Sequence, residues 1–213
     1  MVPFEIPNAD KIIELAYKFT LADGFKHHMK LLKGEDVDPS ILANWLLAKI
    51  PFPIKYLLGL CLSKFSPGLS LGFKNGPISA MQLQDLLAER KCAIKAVVKE
   101  WKELNLDVVI GPAFPHPAVP SHMPTRLLPS GTYTGIYNVL DFPAGVVPIR
   151  YATSQDEADM ESYPTHGNPL LKMIKSSMKG MEGLPLSVQV IGLPYHDECI
   201  LSVMKMLEKS NRI

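Results

Sequence analysis

The sequence is short of the features that announce most functions. Its three cysteines, Cys61, Cys92 and Cys199, are far apart and odd in number, which argues against a disulfide frame and suits free thiols in a reducing compartment. None has metal-ligand spacing. The six histidines, His27, His28, His116, His122, His166 and His196, fall on unrelated segments, and the adjacent pair lacks the i,i+4 spacing of a zinc site. No metal and no cofactor is expected. A net charge of +1 and the lack of any Lys/Arg run interleaved with aromatics give nothing to attract nucleic acid. The N-terminal MVPFEIPNADKII has no basic leader running into an apolar segment and no small-residue cleavage site, which speaks against a secretory signal. An intracellular chain in the cytoplasmic reducing environment is the expectation.

Acidic residues are missing altogether from Pro39 to Gln84. Lys49, Lys55, Lys64 and Lys74 stand there among Trp45, Leu46, Leu47, Ile50, Phe52, Ile54, Tyr56, Leu57, Leu58 and Leu60. A membrane-spanning helix needs about 20 largely apolar residues, and Pro51, Pro53 and the lysines interrupt any such run. Two short helices joined by PFP, apolar on one face with lysines alongside, suit a segment lying in the membrane interface instead. The insert is placed at residues 39–78, with Trp45, Leu46, Ile50, Phe52, Ile54, Tyr56 and Leu57 facing the membrane.

What remains reads as one globular domain, since 213 residues at 47% hydrophobic and 20% charged can bury a sizeable core. Ile12, Ile13, Leu15, Ala16, Phe19 and Leu21 recur at helical spacing, predicting a helix between Asp10 and Lys33 with Gly24 as its stop. The clearest helix starts at Ser79, where Gln82 completes a capping box, shows one apolar face through Leu83, Leu86, Leu87, Ile94, Val97, Val98, Trp101 and Leu104, and stops at Asn105. LDVVIGP, AGVVPI and LSVQVIGL read as strands with helical stretches between them, and DECILSVMKMLEK as a final helix. Alternation of this kind predicts an α/β fold with a parallel sheet. The proline-rich stretch Pro112 to Pro124 follows a strand end, where open α/β sheets bind ligands, and is a candidate cleft wall.

Nucleophile motifs are few. GLSLG, Gly68 to Gly72, fits G-x-S-x-G with Ser70 as nucleophile, but Pro67 before it and Asn75, Gly76 and Pro77 after it deny the strand–turn–helix frame that an elbow needs. A loop between interfacial helices is the better reading. Lys175, Ser176 and Ser177 lie together on a predicted amphipathic helix, where an exposed polar face is the ordinary reading. Tyr133, Thr134 and Tyr137 either line a pocket or pack plainly.

LDVVIGPAFPHPA, YNVLDFPAGVVPI and GLPLSVQVIGLPYHDECIL resemble, in order and at similar separation, the C-terminal part of the amidase signature family. The likeness extends upstream through VPF, DG, KGEDVDP and the basic apolar insert, so residues 1–213 read as a partial amidase domain. The resemblance implies a parallel-rich mixed sheet flanked by helices. It also implies a Ser-Ser-Lys mechanism, in which a lysine deprotonates a bridging serine that activates a nucleophilic serine against an amide carbonyl. The family's Gly/Ser-rich catalytic segment has no counterpart in this sequence, so no catalytic residue is carried over and the chain alone is expected to be inactive.

By the same resemblance, Gly131, Thr134 and Gly135 lie near an acyl chain, Leu21 and Leu128 fall at channel-lining positions, and Arg126 stands at the channel mouth. The stretch from Ile41 to Leu71 is similar to a membrane-binding cap, which implies a lipid amide substrate, a membrane surface as partner and a peripheral place on endomembranes. A homodimer is the oligomer common in that lipid branch. Two other readings stay open: a non-catalytic truncated lipid- or membrane-binding protein, and a fragment of a soluble amidotransferase-type amidase, whose members lack the cap.

Overall fold

Helices carry most of the chain, and its short β-branched runs supply one small sheet. The computed structural model describes residues 1–210. Two helices, α1 (Ala9–Thr20) and α2 (Lys26–Leu31), replace the single one expected before Lys33. They separate around Gly24, whose φ of 65° lies in the left-handed region open to glycine at little cost. The insert forms three helices rather than two, α3 (Leu42–Lys49), α4 (Phe52–Leu62) and α5 (Pro67–Lys74). Prolines open α4 and α5, where the missing N–H would lack an intrahelical partner anyway.

The long helix is α6 (Ala80–Glu103). Ser79 Oγ accepts from the Gln82 N–H at 3.2 Å, and Gln82 Oε1 accepts from the Ser79 N–H at 2.8 Å. This reciprocal cap contributes about 1 kcal/mol. Asn105, two residues past the helix, turns to φ 50°, a conformation asparagine tolerates better than most residues.

The remainder runs β1 (Val109–Pro112), a 3-10 turn (Leu128–Gly131), α7 (Thr132–Leu140), β2 (Ala144–Tyr151), α8 (Ser154–Ser162), α9 (Pro169–Ser177), β3 (Pro185–Ile191) and α10 (Asp197–Ser210). The sheet order is β1-β3-β2, and both pairings are antiparallel. The α/β class holds, but the expected parallel pairing of these strands does not. Two helices, α8 and α9, separate β2 from β3, in place of the single crossover helix that joins neighbouring parallel strands. In β2, Pro148 pairs with Ser187 while Arg150 pairs with Leu186, leaving Ile149 as an extra residue in a bulge.

Each sheet face has its own core. Val147 and Val190 pack with Ile200 of α10. Ile191 joins Ile12, Val97, Trp101, Ile136, Tyr137, Leu140 and Phe142, which ties α1, α6 and α7 to the sheet. A third cluster, Met123, Leu127, Ala152, Ile174, Met178 and Met181, fastens α9 to the loop before the 3-10 turn. Just past the bulge, Arg150 grips Asp156 of α8 through two bonds of 2.7 and 2.8 Å. Asp156 also caps its own helix through Thr153, and these bonds, that from Arg150 first, hold its carboxyl well below the usual carboxylate range.

Candidate functional site

Three cavities meet at the 3-10 turn. Leu128 and Gly131 face a cleft of about 980 Å³, Leu128 and Pro129 a cavity of about 310 Å³ beneath the insert, and Pro129 and Ser130 one of about 510 Å³ beside α1. The large cleft is walled by Ala113 to Val119 of the proline-rich loop, as the sequence suggests for a segment leaving a strand end. Val146 of β2, Leu186 of β3, Met160 of α8, and Met178 and Met181 after α9 close the other sides. The lining is mostly apolar, which suits a ligand with a hydrocarbon chain.

Leu128, Gly131 and Thr134 therefore meet on one wall, with Thr134 Oγ1 donating to the Gly131 carbonyl at 3.2 Å. A Cβ added at Gly131 or Gly135 would meet nothing within 4 Å, so neither glycine is required by packing. Arg126 lines the 310 Å³ cavity together with Leu128, Leu46 and Ile50. Leu21 is buried in the core, and neither it nor Gly135 borders any of the three cavities. The Tyr133, Thr134 and Tyr137 group divides: Thr134 lines the cleft, Tyr133 the 510 Å³ cavity, and Tyr137 packs in the core.

The insert contains a helix turned inside out. On α4 the buried residues are Lys55 and Gly59, while Ile54, Tyr56, Leu57, Leu58 and Leu60 are exposed. Gly59 is the contact with α5, since a Cβ there would come within 2.6 Å of Lys74 Cγ and 3.1 Å of the Lys74 backbone N. Lys55 lies against Phe25, its Nζ 5.8 Å from the ring centroid, and burial pushes its amine down. Of the expected membrane-facing residues, Leu46, Ile54, Tyr56 and Leu57 are exposed, while Trp45, Ile50 and Phe52 are half-buried. Trp45 carries Lys49 Nζ over its ring, and Phe52 closes on Gly76. Phe65, which the sequence did not single out, is exposed as well. Among the described residues no single helix is long and apolar enough to cross a membrane; α3 and α4 together reach that length but bend by 116°.

A family model described as Amidase matches residues 1–201. The chain belongs to the amidase family. It is 34% identical over 211 residues to fatty-acid amide hydrolase 1 of Sus scrofa and 26% identical over 208 residues to fatty acid amide hydrolase 1 of Caenorhabditis elegans. Each alignment covers 98% of this chain and 36% of the relative, so the chain spans about a third of their length. A solved fatty acid amide hydrolase shares the fold over the whole chain, with a TM-score of 0.63 at 17% identity, covering 34% of that structure.

The hydroxyls that matched nucleophile patterns in this member of the amidase family are engaged in backbone bonds. GLSLG lies inside α5, not in the expected loop, and Ser70 is buried with its Oγ donating to the Gly59 carbonyl at 2.8 Å. Ser176 and Ser177 donate to carbonyls of their own helix, and Lys175 Nζ donates to the Glu161 carbonyl. Among the described residues no three His, Cys, Asp or Glu side chains gather as metal ligands.

Three buried hydroxyls among the described residues, those of Tyr17, Ser66 and Ser130, lack a partner. Tyr17 Oη lies against the 310 Å³ cavity without a hydrogen bond, and burial pushes its phenol up to about 12. With the folded pKa above the unfolded value, the linked stability is fully present below about pH 10. It is lost as pH rises toward 12. Tyr17→Phe is expected to leave neutral-pH stability unchanged or raise it by up to about 1 kcal/mol, and to flatten this alkaline loss. Urea melts at pH 7 and 10.5 read both; a steeper alkaline loss in the variant would contradict the assignment.

Proposed function

We propose that this chain forms the substrate-channel and membrane-facing part of a serine amidase that hydrolyses fatty acid amides to fatty acid and amine at a membrane surface. The observation that carries the reading is the largely apolar cleft of about 980 Å³ with Leu128, Gly131 and Thr134 on one wall, in a chain of the amidase family. Similarity to two fatty-acid amide hydrolases along 98% of the chain supports a lipid amide over a soluble one. The outward apolar residues of α4, flanked by Lys49 and Lys64, support docking on an internal membrane from which lipid reaches the cavities through the region of Arg126. The 213 residues hold no Gly/Ser-rich catalytic segment. We infer that the chain alone binds lipid without turning it over, and that the nucleophile of the complete reaction lies outside it.

A chimera tests this. The chain is placed in the Sus scrofa hydrolase over the segment it aligns with, and hydrolysis of oleamide is compared with that of a short-chain amide. Oleamide turnover within about tenfold of the parent, a loss of about 1.4 kcal/mol of transition-state binding, supports the reading. A chimera that cleaves the short amide but not oleamide overturns it. The engagement of Ser70, Ser176 and Ser177 with backbone carbonyls favours a second reading, binding without hydrolysis in any context. Reaction of the 213-residue chain with a fluorophosphonate probe would count against that one.

A further inference from the structure

The carboxylates lining the large cleft are Asp156 and Asp159, both on α8; the one titratable nitrogen group in the lining is the imidazole of His116, and no lysine or arginine lines it. Asp156 is engaged by Arg150 and by the Thr153 cap. Asp159 accepts one hydrogen bond at Oδ1, from Gln155 Nε2 at 2.8 Å, and takes part in none of the ion pairs among the described residues. Its second oxygen accepts no hydrogen bond from the described residues, and the side chain is exposed at the cleft. Two partly exposed aromatic rings, Phe114 and Tyr163, share the lining, and faces of this kind attract cations. Beyond them the cleft is apolar, with Met160, Met178 and Met181 supplying flexible side chains that adapt to a hydrocarbon.

We infer that the cleft selects by charge, taking apolar chains that bear an ammonium group and turning away those that bear a carboxylate, with Asp159 as the residue that decides. The inference rests on the reading of this cleft as a lipid site and names the head group that it prefers. Amide hydrolysis adds water across the C–N bond; the acyl carbon gains the oxygen and the nitrogen gains a proton. Near neutral pH the products are a carboxylate and an ammonium ion. A cleft with this lining disfavours the first and retains the second, so the matching substrates are lipid amides with a further basic nitrogen. A charge pair at a solvent-accessible rim changes affinity by up to about fivefold, and a like-charge contact acts by a similar factor in the opposite sense. Together they set an expected ammonium-over-carboxylate ratio of about tenfold.

The test uses the 213-residue chain loaded with Nile red and titrated with dodecylamine, dodecanamide and dodecanoate below their micelle concentrations, at pH 7.5 and low salt. The expected affinity order is amine, then amide, then carboxylate. Asp159→Asn should cut the amine-to-carboxylate ratio at least threefold with amide affinity unchanged, and Asp159→Glu should keep it. Gly131→Phe, whose ring has open space to enter, should weaken all three ligands, and its failure to do so would overturn the assignment to this cleft. Dodecanoate binding as well as dodecylamine, or an unchanged ratio in Asp159→Asn, overturns the inference while leaving the lipid site standing. No binding of dodecanamide overturns both.

Discussion

Binding of the chain to phosphatidylcholine vesicles is expected to fall about 100-fold or more when Ile54 and Leu57 are both changed to aspartate. The two side chains are 52% and 62% exposed on α4, and burying a residue of this size in an apolar medium contributes about 1.5–3 kcal/mol. Scaled to the exposed fraction of each, losing both removes about 2–3 kcal/mol, before the cost of bringing two carboxylates to the lipid. The buried residues of α4, Lys55 against Phe25 and Gly59 against α5, are untouched. Stability should therefore stay within the range of about ±0.5 kcal/mol typical of surface changes. Vesicle sedimentation alongside a urea melt separates the two effects. Unchanged sedimentation of the variant would remove α4 as the membrane-docking element.

Trp101→Ala is expected to reduce unfolding free energy by about 3–5 kcal/mol. The indole is 1% exposed and stands between Phe4 and Phe142, with ring centroids at 5.6 and 5.9 Å in edge-to-face geometry. Its Nε1–H donates to the Leu106 carbonyl at 2.7 Å, across the chain reversal between α6 and β1. Truncation leaves a cavity where α1, α6 and α7 meet and an acceptor without its donor. Against a net stability of about 5–15 kcal/mol, that loss is a large share of the total. Trp101→Phe keeps most of the ring contact but drops the hydrogen bond, so the gap between the two variants in urea midpoint measures the packing contribution. A loss below about 1 kcal/mol for the alanine variant, small beside other core truncations, would show that this cluster does not govern stability.

Local chemistry was legible in the sequence and pairing was not. The Ser79–Gln82 box, the turn at Asn105 and the β-branched strands depend on neighbours within a few residues, and all stand where the pattern puts them. Strand direction depends on the path of the chain between strands, and while α9 shows an apolar face in the sequence, α8, Ser154–Ser162, is polar nearly all round and gives no periodic signal. A similar limit applied to α4. Lysines on an apolar helix read as its wet side, whereas Lys55 turns inward against Phe25, a contact between distant segments that no local pattern shows. The wall residues Leu128, Gly131 and Thr134 came from family resemblance. Met160, Met178, Met181 and Asp159 were missed because residues far apart in the chain form that lining together, and an acidic helix such as α8 reads as a solvated face.

The extra residue in β2 fixes the phase of the chain beyond it. Side chains alternate between sheet faces, and Ile149 shifts that alternation by one before the chain reaches Arg150. Removing it would send Arg150 to the face away from Asp156, and α8 would lose the grip that holds it over the cleft. Length in this short segment is thus constrained as tightly as identity is at Gly145, where a Cβ would collide with Met204 Sδ, and at buried Val147: an insertion or deletion between Pro148 and Thr153 would unseat the rim of the cleft.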